Sequence, residues 1–393
     1  MIIPQEFYST RGTPISAYHR IRELISHGHE VEVLTYKPGG EPPGLPVRIY
    51  RSRGPHFARH IKPGPSRVKI WYDVLLFLNL IYRVARRRYD AMYAHEEGAF
   101  LARIVGAFTG TPYVYDMHSS LPRQIREWGF SRHQWVVDLF AWVEKFSVGG
   151  ARVVVAISPA VAQVARNVRP GAPVVIIVNH YEMPSGPGSL TAAEVRARHG
   201  IDPATKLVVY TGSFVPLQAL DMLVAAAPRI CERVAGVKFL LVGGTRADVE
   251  ALRALAGKLN MADRFILEEN RPQVEMRGYM AAADVLVSPR FAGINPPGKL
   301  FAYLSAEKPV VATDTPVHNQ LLDSSCAILT EASAEKFADG VVAALTDSER
   351  RLQVVAGARQ FLSSHCSAEA RRAAYVALTN GLAGPLSAPH VRD

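Results

Sequence analysis

The chain has 393 residues, 48% of them hydrophobic and 20% charged, and a formal charge of +10. That length exceeds one ordinary core and predicts two domains of similar size, in a composition typical of soluble proteins. The positive balance predicts an anionic contact, either a nucleotide or a phospholipid surface. Nucleic acid is set aside, because no zinc-ligand spacing, RNP-like motif or recognition helix is present.

The chain opens on Met1-Ile2-Ile3-Pro4, the tail of an expected strand, followed by a loop from Gln5 to Pro14. A first strand of a doubly wound sheet is usually central and longer, so a few N-terminal residues are expected to be missing. Gly12-Thr13-Pro14 suits a tight loop into a helix whose first N–H groups are open to a phosphate. Ile15 to His27 has the spacing of an amphipathic helix, stopped at Gly28. Strands are then predicted at Glu30–Thr35, Ala91–Ala94, Pro112–Asp116 and Arg152–Ile157.

Between the first two of these strands lies a basic region, Arg48 to Arg88. It contains Arg51, Arg53, Arg59, Lys62, Arg67, Lys69 and Arg86-Arg87-Arg88, with Asp73 as its acid and Trp71, Tyr72, Phe77 and Tyr82 interleaved. Two compatible readings stand: a face on anionic lipid, and a core-packing helix from Val68 to Val84 with charged ends, its apolar face inward and its flanking arginines toward the membrane. Its apolar run, Val74 to Tyr82, falls far short of the ~20 residues a membrane span needs. Cys231, Cys326 and Cys366 are too scattered for a disulfide framework, and no signal peptide is visible, so a cytoplasmic protein is expected.

His118, in Tyr115-Asp-Met-His-Ser-Ser120, lies just past a strand. There it is suited to bond a sugar hydroxyl or move a proton, with Asp116 to orient it, or simply to bond backbone. His95 and Glu96 occupy the same place after the preceding strand, as acceptor contacts or as solvated loop groups. A metal at His95, Glu96 and His118 has no ligand spacing behind it, and none is expected.

A linker is predicted at Asn179–Gly188, and a second sheet restarts at Lys206–Gly212. Its later strands are expected at Val237–Val242, Phe265–Leu267, Val285–Val287, Val310–Thr313 and Ala327–Leu329. Three of its strand ends carry turns fit for a phosphate: Gly212-Ser213, with Gln218 and Asp221 further on; Gly243-Gly244; and the loop from Pro289 to Gly298, with Asn295, that leads into Lys299. Lys299 is the sharpest candidate, a cation placed to meet a leaving diphosphate. Ala368 to Leu382 reads as a helix that packs back, and the tail after Gly384 as loose.

Several segments, in order, resemble retaining glycosyltransferases of family 4. They are Arg11-Gly-Thr-Pro-Ile15, Tyr115-Asp-Met-His-Ser-Ser-Leu-Pro122, Ala156-Ile-Ser-Pro159, Thr211-Gly-Ser-Phe214 with Ala219-Leu-Asp221, Arg271-Pro272 before Tyr279-Met-Ala-Ala-Ala-Asp284, and Ser288-Pro289-Arg290 through Asp314. The resemblance implies the GT-B architecture, an α/β fold of two Rossmann-like doubly wound domains facing across a cleft. The acceptor domain would span residues 1–182 and the nucleotide-sugar domain 189–365, with residues 366–393 as a helix crossing back and a tail. It implies a nucleotide-diphosphate sugar donor, retention, no cofactor or bound metal, and a glycan or lipid-linked acceptor. His118 and Lys299 would be catalytic. Gly12, Gly212, Ser213, Gln218, Gly243, Gly244, Arg271, Asn295 and Lys299 would hold the donor, and His95, Glu96, Asp116 and His118 would face the acceptor.

The chain also departs from the family pattern. Ser213 and Gln218 stand where an arginine and a lysine are common, Ile294 and Ala302 where paired glutamates fall, and Glu307 where a glycine is common. Each lost charged contact costs about 1.5–3 kcal/mol of binding. A non-catalytic GT-B scaffold or glycan-binding protein, and a GT-B epimerase, therefore stand beside the transferase.

Overall fold

The computed structural model describes residues 1–8, 12–42, 44–52, 67–127, 131, 133–179, 186–292 and 296–383. Arg11, Arg53, Arg59, Lys62, Ile294, Asn295, the middle of the expected linker and the tail after Gly384 lie outside them. Contacts divide the chain into two units. The first is Met1–Asn179 with Ala368–Asp393, and the second is His180–Ser367.

The first unit runs β1 (Ile2–Ile3), α1 (Gly12–Ser26), β2 (Glu32–Tyr36), β3 (Arg48–Ser52), α2 (Arg67–Arg86), β4 (Met92–His95), α3 (Gly98–Thr109), β5 (Tyr113–Met117), α4 (Leu121–Glu127), α5 (Gln134–Gly150), β6 (Val153–Ala156), α6 (Pro159–Val168) and β7 (Val174–Ile176). Its seven strands are all parallel, in the order β3-β2-β1-β4-β5-β6-β7. Though only two residues long, β1 lies between β2 and β4, with Ile2 opposite both Leu34 and Ala94.

Alternation sorts the neighbours onto two faces. Ile2, Leu34 and Tyr36 join one core with Tyr72, Leu76 and Leu80 of α2 and Ala99 and Ala102 of α3. Ile3 and Val33 join the other core, against Ala17 and Ile21 of α1. Helices α2, α3, α5 and α6 thus form one layer, each touching the next-named.

The second unit runs α7 (Ala192–Arg198), β8 (Lys206–Thr211), α8 (Leu220–Arg233), β9 (Val237–Gly244), α9 (Arg246–Lys258), β10 (Phe265–Glu269), α10 (Met276–Ala282), β11 (Val285–Ser288), α11 (Lys299–Ser305), β12 (Val310–Thr313), β13 (Ile328–Thr330), α12 (Ala334–Thr346) and α13 (Ser348–His365). Its six strands are parallel, in the order β10-β9-β8-β11-β12-β13, the doubly wound pattern. The last helix, α14 (Ala368–Ala383), belongs to the first unit, where Tyr375 and Leu378 pack on Val114, Val153 and Val155. Two strands escape the sequence reading, β3 and β7, which end the first sheet at either edge.

Helix α1 begins at Gly12, three residues before the expected Ile15, and β2 runs on to Tyr36. In the second unit the two glycine turns are built against each other. Gly212 and Gly243 hold φ of +131° and +126°, and a Cβ on Gly243 would lie 2.4 Å from the Gly212 carbonyl oxygen. Gly243→Ala should cost about 1–3 kcal/mol through overpacking, with backbone strain added. A drop in the urea midpoint checks it, and an unchanged midpoint would show that the turns can part.

Candidate functional site

In the second unit the C-terminal ends of β8, β9 and β11 gather the residues singled out around Lys299. Two tyrosines fix the floor. The hydroxyl of Tyr303, on α11, accepts the Thr211 backbone N–H at 2.7 Å, and the Tyr210 hydroxyl donates to the Ser213 carbonyl at 2.8 Å. The Lys299 ammonium nitrogen lies 3.6 Å from the Tyr210 ring centroid and 5.8 Å from that of Tyr303, a cation–π arrangement. It donates to Gln218 Oε1 at 3.2 Å. A Cβ on Gly212 would stand 3.7 Å from the same nitrogen, so bare backbone borders the amine.

Burial first, then the Arg290 guanidinium, push the Lys299 pKa well below its ordinary value. Among the described residues no carboxylate forms an ion pair with Lys299. His318 is a third nitrogen group here. Its Nδ1 faces the Thr313 carbonyl at 2.8 Å and so carries the proton, leaving Nε2 to accept from the Ser288 hydroxyl at 3.0 Å. Burial chiefly, with Lys299 and Arg290 adding, pushes its pKa down to about 4.

The other donor candidates are spread more widely. Ser213 is exposed, and Gly244 packs under the Phe214 ring, where a Cβ would meet it at 2.5 Å. Arg271, just past β10, is exposed and pairs with Glu268, Nε to Oε2 at 2.7 Å. Gly12 opens α1 in the first unit. Ala302 stands one turn after Lys299 on α11 and is half-buried. Arg290, His318, Tyr210 and Tyr303 were not predicted. Arg290 alone had a signal, in Ser288-Pro289-Arg290.

In the first unit, register assembles a second cluster. His95 and Asp116 are ladder partners on β4 and β5, and His118 follows Asp116 by two, so the three side chains share one face. All are buried, and their donor atoms lie within 4.8 Å of one another, a metal-ligating type of set. His118 Nε2 is 3.4 Å from Asp116 Oδ1, and the two imidazole centroids are 4.2 Å apart.

Arg20 of α1, unpredicted, stands where a cation would be needed. Its Nε is 3.5 Å from Asp116 Oδ2, and its Nη2 donates to the Ile177 carbonyl at 2.6 Å. Arg20 first, then His118, hold the Asp116 carboxyl below the usual range against the opposing effect of burial. Glu96, at φ +48°, has its carboxyl pushed well up by burial, then by Glu97 and Asp116.

Both ring nitrogens of His95 are buried without a hydrogen bond, and burial chiefly lowers its pKa from 6.5 to about 3. A neutral buried histidine binds its proton more readily when unfolded, so stability falls as pH drops below about 6.5 toward 3. At pH 5 the loss is on the order of 2 kcal/mol. Urea melts of His95→Phe between pH 7.5 and 5 should show a shallower decline than the parent. An identical slope would assign the acid sensitivity to other groups.

The comparisons with known proteins cover both units. Residues 11–182 match the family described as "Glycosyl transferase 4-like domain", and residues 205–347 match "Glycosyl transferases group 1". The D-inositol 3-phosphate glycosyltransferase of Thermobispora bispora is 28% identical over 301 residues, 68% of this chain and 66% of that protein. The GDP-mannose-dependent alpha-(1-6)-phosphatidylinositol monomannoside mannosyltransferase of Mycobacterium tuberculosis is 29% identical over 190 residues, 45% of this chain and 48% of its own length. The matches thus span less than two thirds of these relatives. Among solved structures, the Anabaena protein HepE in complex with UDP superposes with a TM-score of 0.72 at 15% identity, covering 96% of this chain and 99% of its own. Sucrose-phosphate synthase from Thermosynechococcus elongatus gives 0.72 at 18% identity, covering 97% and 98%. These likenesses show the shared fold.

Proposed function

We propose that this chain, which belongs to the GT-B glycosyltransferases by the matches over both of its units, moves a sugar from a nucleotide-diphosphate sugar to a glycan or lipid-linked acceptor with retention. The observation that carries this reading is the half-buried Lys299, its amine set against two aromatic rings. It is bordered by the Gly212 backbone, it repels Arg290, and no carboxylate among the described residues pairs with it. A diphosphate there restores the ammonium and offsets the burial cost.

In the second unit Lys299 and Arg290 meet the diphosphate, with Gln218 releasing the ammonium to it. The sugar C1–O bond breaks, and the electron pair goes to the departing phosphate oxygen. The acceptor oxygen bonds C1 on the same face, and its proton passes to that phosphate oxygen. The chain's own part is positioning and charge stabilisation rather than nucleophilic attack. His118, Asp116, His95 and Glu96 form the acceptor side in the first unit. Relatives whose names include phosphatidylinositol and GDP-mannose support a lipid-linked acceptor, and the UDP complex of HepE supports a nucleotide donor. The place of work is the cytoplasmic face of an anionic membrane. The basic first unit and the scattered cysteines favour it. Among the described residues no helix is long and apolar enough to cross a membrane.

A second reading, a non-catalytic GT-B scaffold, is favoured by Ala302, which puts a methyl group where the family resemblance implies a glutamate.

The test separates these readings. UDP-, GDP- and ADP-sugars are screened by thermal shift, with Lys299→Met beside the parent. One nucleotide sugar should raise the parent's melting temperature and leave the variant's unmoved. The variant alone should melt at or above the parent, because a poorly solvated cation is gone. Its turnover should fall about 10²–10³-fold. No shift with any donor would favour the scaffold. Equal turnover in parent and variant would remove Lys299 from the reaction.

A further inference from the structure

Helix α2 is apolar on two opposite faces. Tyr72, Leu76 and Leu80 fill the core, while Ile70, Trp71, Val74, Leu78, Ile81 and Tyr82 face outward, between 43% and 64% exposed. The outward set follows the i, i+4, i+8 spacing and contains no acid. A helix apolar all round is normally covered on every side. In the same helical layer α5 repeats the pattern, with Trp135 67%, Leu139 48% and Trp142 54% exposed, and α3 ends in Phe108 at 85%. The edge ring of Phe100 on α3 meets Trp142 at 6.2 Å and so joins the α3 and α5 parts of the surface.

Tryptophan is highly buried on average. Here Trp71, Trp135 and Trp142, all the tryptophans among the described residues, lie outward on this one layer. Cations edge it: Arg86 stacks on Tyr82 with its guanidinium carbon 4.9 Å from the ring centroid, and the exposed Arg123 and Arg126 lie on α4, which packs on α5. An apolar sheet of indoles rimmed by guanidinium groups fits an acyl–headgroup boundary bearing anionic lipids.

We infer that the outer face of α2, α3 and α5 enters an anionic bilayer, so the first unit is seated by insertion of side chains and not by charge alone. This rests on the membrane position proposed above and specifies its surface. A second copy of the chain is the competing occupant. The arginines on both α2 and α4 favour lipid, since two copies would set like charges together.

The full chain is mixed with phosphatidylcholine vesicles with and without phosphatidylglycerol, and sedimentation is read together with tryptophan emission. The parent should sediment with the anionic vesicles, its emission should shift to the blue, and brominated acyl chains should quench it. Trp71→Ser/Leu78→Ser should weaken partitioning by about tenfold or more. Trp135→Ser/Trp142→Ser should do the same. The quenching measurement needs no variant, so it decides even if a variant folds poorly. Sedimentation without quenching, abolished by salt and unchanged in the variants, would overturn insertion and leave a charge-held position. A stable dimer that binds no vesicle, and that the variants split, would overturn both. Neither result touches the donor-binding test at Lys299.

Discussion

The second unit is organised around one unfavourable charge. A half-buried primary amine lies near a guanidinium and a histidine, with two aromatic rings and one amide oxygen as its company. Nothing in that company offsets a buried cation as a carboxylate would. Tyr303 is pinned through its hydroxyl to Thr211, and Tyr210 to Ser213. The Gly212 and Gly243 turns press backbone against backbone.

The first unit solves the opposite problem. Its buried charge is a carboxylate, Asp116, and Arg20 and His118 of the same unit lie beside it at 3.5 and 3.4 Å. Arg20 is itself fixed by the Ile177 carbonyl and by Asn179, whose side-chain oxygen also accepts from Ser16 at 2.9 Å. The network thus spans α1, two central strands and the segment after β7. Burial chiefly, with His118 and Arg20 adding to it, keeps the His95 pKa low within this network.

Much of this was legible in the sequence. The parallel strands read directly as short apolar runs, and the glycine turns at Gly212 and Gly243 follow from strand ends in a doubly wound sheet. His95 and Asp116 each stood at the end of a predicted strand, but their contact depends on the ladder register between β4 and β5, which one sequence does not state. Arg20 and His318 reach their sites from elements distant in the chain, and neither carries a local motif. β3 was absorbed into the basic region because Arg48 and Arg51 dominate Arg48–Ser52. As an edge strand it tolerates those charges. β7 has only three residues, too few for periodicity to register.

Charge counting also misjudged the basic region. Asp73, its acid, is turned away from the surface. It accepts the Tyr36 hydroxyl, and burial pushes its pKa up to about 6. Arg87 is committed to Glu30 at 2.9 Å and Glu32 at 2.7 Å. Arg83 lies 3.4 Å from the Tyr50 ring centroid and serves packing. Two cations at the end of this region are thus spent holding it to Glu30, to β2 and to β3. What those contacts fix in place is the outward row from Ile70 to Tyr82. The cations and the inner apolar face anchor this helix, and the outer apolar face is presented by that anchoring.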